Sequence, residues 1–212
     1  MSMSSYRDGS VDTYVRDLAA NLAAPGGGSG AALAGALGNA LASMVGNFTV
    51  GKEKFAAVEA DVQRILAELD GLRDRLLQLV DEDVNVYSQV SAAYKMPRET
   101  DEEKAARSAA IEEACKTAAG VPRAIAECCD RTIALAAELC EIGNPNLISD
   151  VGCAVRLAEA ARHCAWLNVA INLASIKDEA FKADMQKALD EPGRKSHHLA
   201  ETTWQKVVQR IL

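Results

Sequence analysis

Between Phe55 and Tyr94, apolar residues recur at Val58, Val62, Ile65, Leu69, Leu72, Leu76, Leu79, Val86 and Val90. The alternating steps of four and three put them on one stripe of a long helix. At 1.5 Å per residue that helix would be about 60 Å long, which predicts that it serves more than one subunit. Extending the stripe from Leu79 lands on position 83 before it resumes at Val86, and position 83 is Asp. Ahead of this helix, an amphipathic segment from Ser10 to Ala24 is broken by Pro25-Gly26-Gly27-Gly28, and a second helix opens near Ser29. Gly30, Ala34, Gly38, Ala42 and Gly46 recur there every fourth residue. Such a stripe lets another helix approach closely and predicts a central position.

Met96-Pro97 ends the long helix, and Thr100-Asp101-Glu102-Glu103 is a capping box for a helix to about Ala119. Pro122 suits the first turn of another, closed by Gly143. Ser149 or Asp150 caps an Ala-rich helix to about Leu173, Ser175-Ile176-Lys177-Asp178 marks a further start, and Pro192-Gly193 separates a last helix. Strand alternation and hairpin signals are absent. The expectation is an all-α fold, one single-domain bundle of long and short helices over residues 1–212 that dimerises through helix packing.

Composition sharpens this reading. The 212 residues are 49% hydrophobic but only 4% aromatic, so Ala and Leu rather than large rings fill the core. A formal charge of -7 speaks against nucleic acid as a partner. The uncharged run Ser29 to Val50 is long enough to span a bilayer, yet it carries Asn39, Ser43, Asn47 and Thr49 and lacks basic flanks and aromatic belts. A buried helix is expected, with no membrane partner. The six cysteines form no C-x-x-C pair and stand in helical text, so they are expected as reduced core residues of a cytoplasmic protein. His163, His197 and His198 show neither H-x-x-H nor H-E-x-x-H spacing, and no metal site is expected.

Two phosphate-loop mimics fail. Gly46 to Lys52 fits G-x-x-x-x-G-K, but Glu53 replaces the required Ser or Thr and the motif follows a helix. Gly26-x-Gly28-x-x-Ala31 lacks the preceding strand of a dinucleotide fold. What remains is a glycine-rich helix start able to meet an anion or carbonyl, or simply a tight turn. Asp83 is the stronger candidate, because a carboxylate on an apolar face needs a raised pKa or a partner. It is read as functional, with an ion pair or helix cap as the alternative, while Asp81 and Glu82 are expected to face water. Asn168 and Asn172, one turn apart, present amides either to a flat heterocycle or to neighbouring helices. Asp150 serves a ligand or a helix cap.

Several segments together resemble one family. Pro25-Gly26-Gly27-Gly28-Ser29, Asn47-Phe48-Thr49-Val50-Gly51-Lys52, Leu79-Val80-Asp81-Glu82-Asp83, Tyr94-Lys95-Met96-Pro97, Gly143 to Asp150 and Asn168-Val169-Ala170-Ile171-Asn172 are similar, in order, to the cyclodeaminase/cyclohydrolase family of folate enzymes. The resemblance implies a helical homodimer acting on one-carbon derivatives of tetrahydrofolate, without metal or tightly bound cofactor, with Asp83 as the catalytic acid. It further implies a substrate site drawn from Gly26, Gly27, Gly28, Ser29, Lys52, Lys54, Asn144, Asp150, Asn168 and Asn172. Within it, Lys52 or Lys54 meets the glutamyl carboxylates, and Asn168 and Asn172 lie near the pterin. Because no formiminotransferase domain is fused to the chain, the expected reaction is hydrolysis of 5,10-methenyltetrahydrofolate to 10-formyltetrahydrofolate. The alternatives are formiminotetrahydrofolate cyclodeaminase, and a helical dimer scaffold without catalysis.

Overall fold

A computed structural model describes residues 5–212, and among them every regular element is helical. Ser10 starts α1 (Val11–Ala19) by accepting the Thr13 N–H at 3.0 Å. Pro25 and Gly26 lead into α2 (Gly27–Asn47), whose first two residues are glycines, and a 3-10 stretch, Glu53–Val58, leads into α3 (Glu59–Tyr94). Gly51 carries the turn between them at φ +71°, a conformation glycine adopts without a Cβ penalty. The bundle is completed by α4 (Asp101–Ile142), α5 (Ile148–Leu173) and α6 (Glu179–Ile211).

The hydrophobic patterning explains the packing. α2 runs through the middle, against α3, α4 and α5. It is long and apolar enough to cross a bilayer by length and composition, yet most of it lies inside the bundle. Helix α5 reaches it through Ala154, Ala158, Ala161 and Ala165, all buried. A Cβ on Gly38 would stand 2.9 Å from the Ala154 carbonyl, and one on Gly35 2.9 Å from Cys129 Sγ. The expected stripe of small residues is therefore only half right. Each four-residue step overshoots a turn by about 40°, so Gly30 and Ala34 are only half-buried while Gly35 takes the close approach. On α3, Val62, Ile65, Leu69, Leu76 and Leu79 are fully buried, as their spacing predicts.

Several expectations change in the structure. The helix expected to stop near Ala119 and the one beginning at Pro122 are one continuous helix, and Pro192-Gly193 does not divide α6. An internal proline costs about 3 kcal/mol, but here both flanks are anchored by burial, with Cys115, Ile125, Ile133 and Leu139 around Pro122 and Met185, Leu189 and Ala200 around Pro192. The start of α5 has no side-chain cap, so neither Ser149 nor Asp150 caps it. The length of α3 is matched within the chain, since α4 has 42 residues against 36, and it does not itself require a second subunit. Of the six reduced cysteines, Cys115, Cys128, Cys129 and Cys140 are buried while Cys153 and Cys164 are exposed.

Candidate active site

The start of α2 lies across α3 at Asp83. The Ser29 backbone N–H, one of the unpaired donors of a helix N-terminus, donates to Asp83 Oδ2 at 2.8 Å. Gly28 rests directly on the carboxylate, and any Cβ there would overlap it. Asp83 forms no ion pair with any described Lys, Arg or His. Burial pushes its carboxyl above the ordinary aspartate value, and the Ser29 N–H pulls it back only in part. Asp81 and Glu82 depart from expectation. Asp81 accepts from Ser5 Oγ at 2.5 Å and from the Tyr6 N–H at 2.8 Å, and Glu82 pairs with Arg75, two turns earlier on α3.

Asp83 opens into a mostly apolar cavity of 380 Å³. Gly26, Gly27 and Gly28 form one wall and Asn168 and Asn172 of α5 another, while Tyr87, Val90 and Tyr94 extend the α3 side. The two amides are partly committed to their own helix, since Asn168 Nδ2 donates to the Cys164 carbonyl at 2.8 Å and Asn172 Nδ2 to the Asn168 carbonyl at 2.7 Å. Their Oδ1 atoms keep acceptor capacity, suited to the N–H edge of a heterocycle. Beneath the glycines, the buried Tyr14 hydroxyl pairs with Ser29 Oγ at 2.9 Å, and burial raises its pKa.

Some residues singled out in the sequence lie elsewhere. Helix α2 separates the glycines from Lys52 and Lys54 by about 32 Å for its 21 residues, so these lysines do not line the cavity. They lie over the Phe48 and Phe55 rings instead. Asn144 is built into the fold, its N–H donating to Thr49 Oγ1 at 2.9 Å and its amide to the Phe48 carbonyl at 3.1 Å. Asp150 is in the first turn of α5, also outside the cavity. Among the described residues, no Lys or Arg lines the cavity. Conversely, Tyr14, Tyr87 and Tyr94 escaped the sequence reading. Tyr87 and Tyr94 stand one position past the four-three stripe that runs through Asp83, Val86 and Val90, so its rhythm did not mark them.

One grouping of ligand-type side chains was not visible in the local spacing of the sequence. Glu159 and His163 of α5 and His197 of α6 bring their ligand atoms within 4.8 Å of one another. His197 is 38 positions from Glu159, and local spacing could not reveal it.

Comparison with known proteins gives a consistent picture. The sequence profile of the family described as Formiminotransferase-cyclodeaminase matches residues 10–191. A methenyltetrahydrofolate cyclohydrolase of Methylorubrum extorquens is 43% identical, over 93% of this chain and 97% of its own length. The formimidoyltransferase-cyclodeaminase of Rattus norvegicus is 36% identical over 84% of this chain, which spans only 33% of that protein. The crystal structure of a formiminotetrahydrofolate cyclodeaminase from Thermotoga maritima superposes with a TM-score of 0.81 at 30% identity, covering 96% of each chain.

Proposed function

From the premise that this chain belongs to the formiminotransferase-cyclodeaminase family, we propose that it is an enzyme of tetrahydrofolate one-carbon chemistry, with Asp83 as the proton-transferring group. The observation that carries this is a carboxylate withdrawn from water, without a cation, at the wall of an apolar cavity. A scaffold has no use for it, since an uncompensated buried charge only weakens the fold.

Two reactions meet at one species, the 5,10-methenyl bridge. In the cyclodeaminase direction, N10 attacks the formimino carbon, a C–N10 bond forms, the C–NH2 bond breaks and ammonia leaves. Asp83 takes the N10 proton and delivers it to the departing amine. In the cyclohydrolase direction, Asp83 removes a proton from water attacking the methenyl carbon, a C–O bond forms, N5 takes that proton as the C–N5 bond breaks, and the remaining hydroxyl proton is released to solvent to leave the N10-formyl group. The bridged folate is an amidinium-like cation, and an ionised Asp83 stabilises it in either case.

The cyclodeaminase reading draws the broader support, from the family description, the animal relatives and the Thermotoga structure. The expectation of a cyclohydrolase rested on the lack of a fused domain. The Thermotoga cyclodeaminase, matched across 96% of its length, removes that argument. The cyclohydrolase remains as the second reading because the Methylorubrum relative is 43% identical over nearly its whole length. Purified protein offered 5-formiminotetrahydrofolate and 5,10-methenyltetrahydrofolate in separate assays tests both. Ammonia release from the first identifies the cyclodeaminase, loss of methenyl absorbance above the spontaneous rate identifies the cyclohydrolase, and turnover of neither refutes the enzyme reading.

A homodimer is part of the proposal. Leu33, Leu37, Leu41, Met44 and Phe48 form an apolar outer face along α2, with Leu37 and Phe48 more than half exposed. A two-fold axis near Leu37 would pair the start of one α2 with the end of the other. Lys52 of a second copy would then lie by the cation-free cavity, where folate carboxylates need a partner. Mixing D83N and K52A subunits tests this, because only a shared site regains activity in the mixed dimer.

A further inference from the structure

We propose that Glu159, His163 and His197 form a binding site for a divalent transition-metal ion, Zn2+ being the probe of choice. Glu159 is the anchor. Its side chain is only 10% exposed, with Oε2 held by Arg156 at 2.8 Å and Oε1 facing His197 Nδ1 at 2.7 Å. One turn along α5, His163 lies on the same face, and its ring stands 6.1 Å from that of His197 at an interplanar angle of 72°. The three ligand atoms lie within 4.8 Å of each other. Metal–ligand bonds of about 2.0–2.2 Å require them somewhat closer, an adjustment open to His163 and His197 because both are exposed.

The donor set selects the ion. Two imidazoles and one carboxylate suit Zn2+, Ni2+ or Cu2+, whereas Mg2+ and Ca2+ prefer oxygen throughout. Water completes the coordination from the open groove bordered by Trp166, Asp190 and Arg194. Arg156 keeps Glu159 oriented, the supporting role that neighbours of metal ligands commonly have. This groove shares no residue with the cavity at Asp83. His197 also lies beyond the family match, which ends at residue 191. The ion would pin the middle of α6 to α5 rather than take part in folate chemistry.

The test uses the full chain with Cys153 and Cys164 replaced by Ser, so that exposed thiols cannot capture the ion. After dialysis against chelator, ZnCl2 is titrated calorimetrically. One Zn2+ per chain is expected, with affinity falling about tenfold or more in H163A and in H197A and unchanged in H198A. Zn2+ should raise the thermal midpoint of the parent but not of H197A, and MgCl2 should raise neither. Equal Zn2+ uptake by H163A, H197A and the parent, or no saturable uptake by the parent, overturns the proposal.

Discussion

Asp83 and Asp130 are both carboxylates drawn into the bundle, and they differ in what faces them. Asp130 meets Arg162, itself only 6% exposed, at 3.1 Å. Arg162 also donates to the Leu189 carbonyl, and Gly193 of α6 lies against its guanidinium so closely that a Cβ would overlap it. Burial pushes both carboxyls up. Ser196 and Arg162 pull Asp130 back, whereas the Ser29 N–H alone does so for Asp83. One acid is satisfied and ties three helices together. The other is left with unspent proton affinity at the wall of a cavity. A glycine lies against each region, Gly28 on the Asp83 carboxylate and Gly193 on the Arg162 guanidinium, so the two differ in whether a cation faces the acid.

The most severe test of that contrast is D83N, expected to lower turnover by about 10²–10⁴-fold with the fold intact. It carries a signed stability effect. The folded-state pKa of Asp83 lies above that of the unfolded chain, so across the window between the two the folded protein binds more proton and loses stability as pH rises. At pH 7, D83N should melt higher than the parent, and the gain should vanish below the ordinary aspartate range, where both side chains are neutral. A lower midpoint at neutral pH would mean that Asp83 is a structural acid like Asp130.

D130N should do the reverse, costing about 3–5 kcal/mol in urea unfolding because Arg162 is left buried and unpaired, with turnover per folded molecule unchanged. G28A should displace the Asp83 carboxylate from the Ser29 N–H and reduce turnover by about 10²-fold, with little change in the urea midpoint. The mildest effect is expected for G193A, a loss of about 1–3 kcal/mol from overpacking against Arg162, with activity retained. If G28A and G193A behaved alike in both assays, the distinction between the regions would fail.

The sequence made the helices legible where patterning is local. The capping box at Thr100 and Glu103 is present, and Asp178 caps α6 through the Phe181 N–H. Asp83 stood out because a four-three stripe leaves little freedom about which side faces inward. Continuity through Pro122 and Pro192 was not legible, because burial contributed by distant helices outweighs a local breaker. Nor was the separation of Lys52, Asn144 and Asp150 from the glycines, since motifs that follow one another in order need not share an end of a rod-like helix. Arg162 facing Asp130 and His197 facing Glu159 depend on how α5 packs against α4 and α6, which no spacing rule encodes.

The bonds from Ser5 and Tyr6 to Asp81 have a practical corollary. Asp81 lies two residues before Asp83, so an addition at the amino terminus would act close to the turn of α3 that carries Asp83. An affinity handle or fluorescent partner belongs instead after Leu212, which is fully exposed at the far end of α6. Kinetic constants taken from amino-terminally tagged protein would report the handle as much as the enzyme.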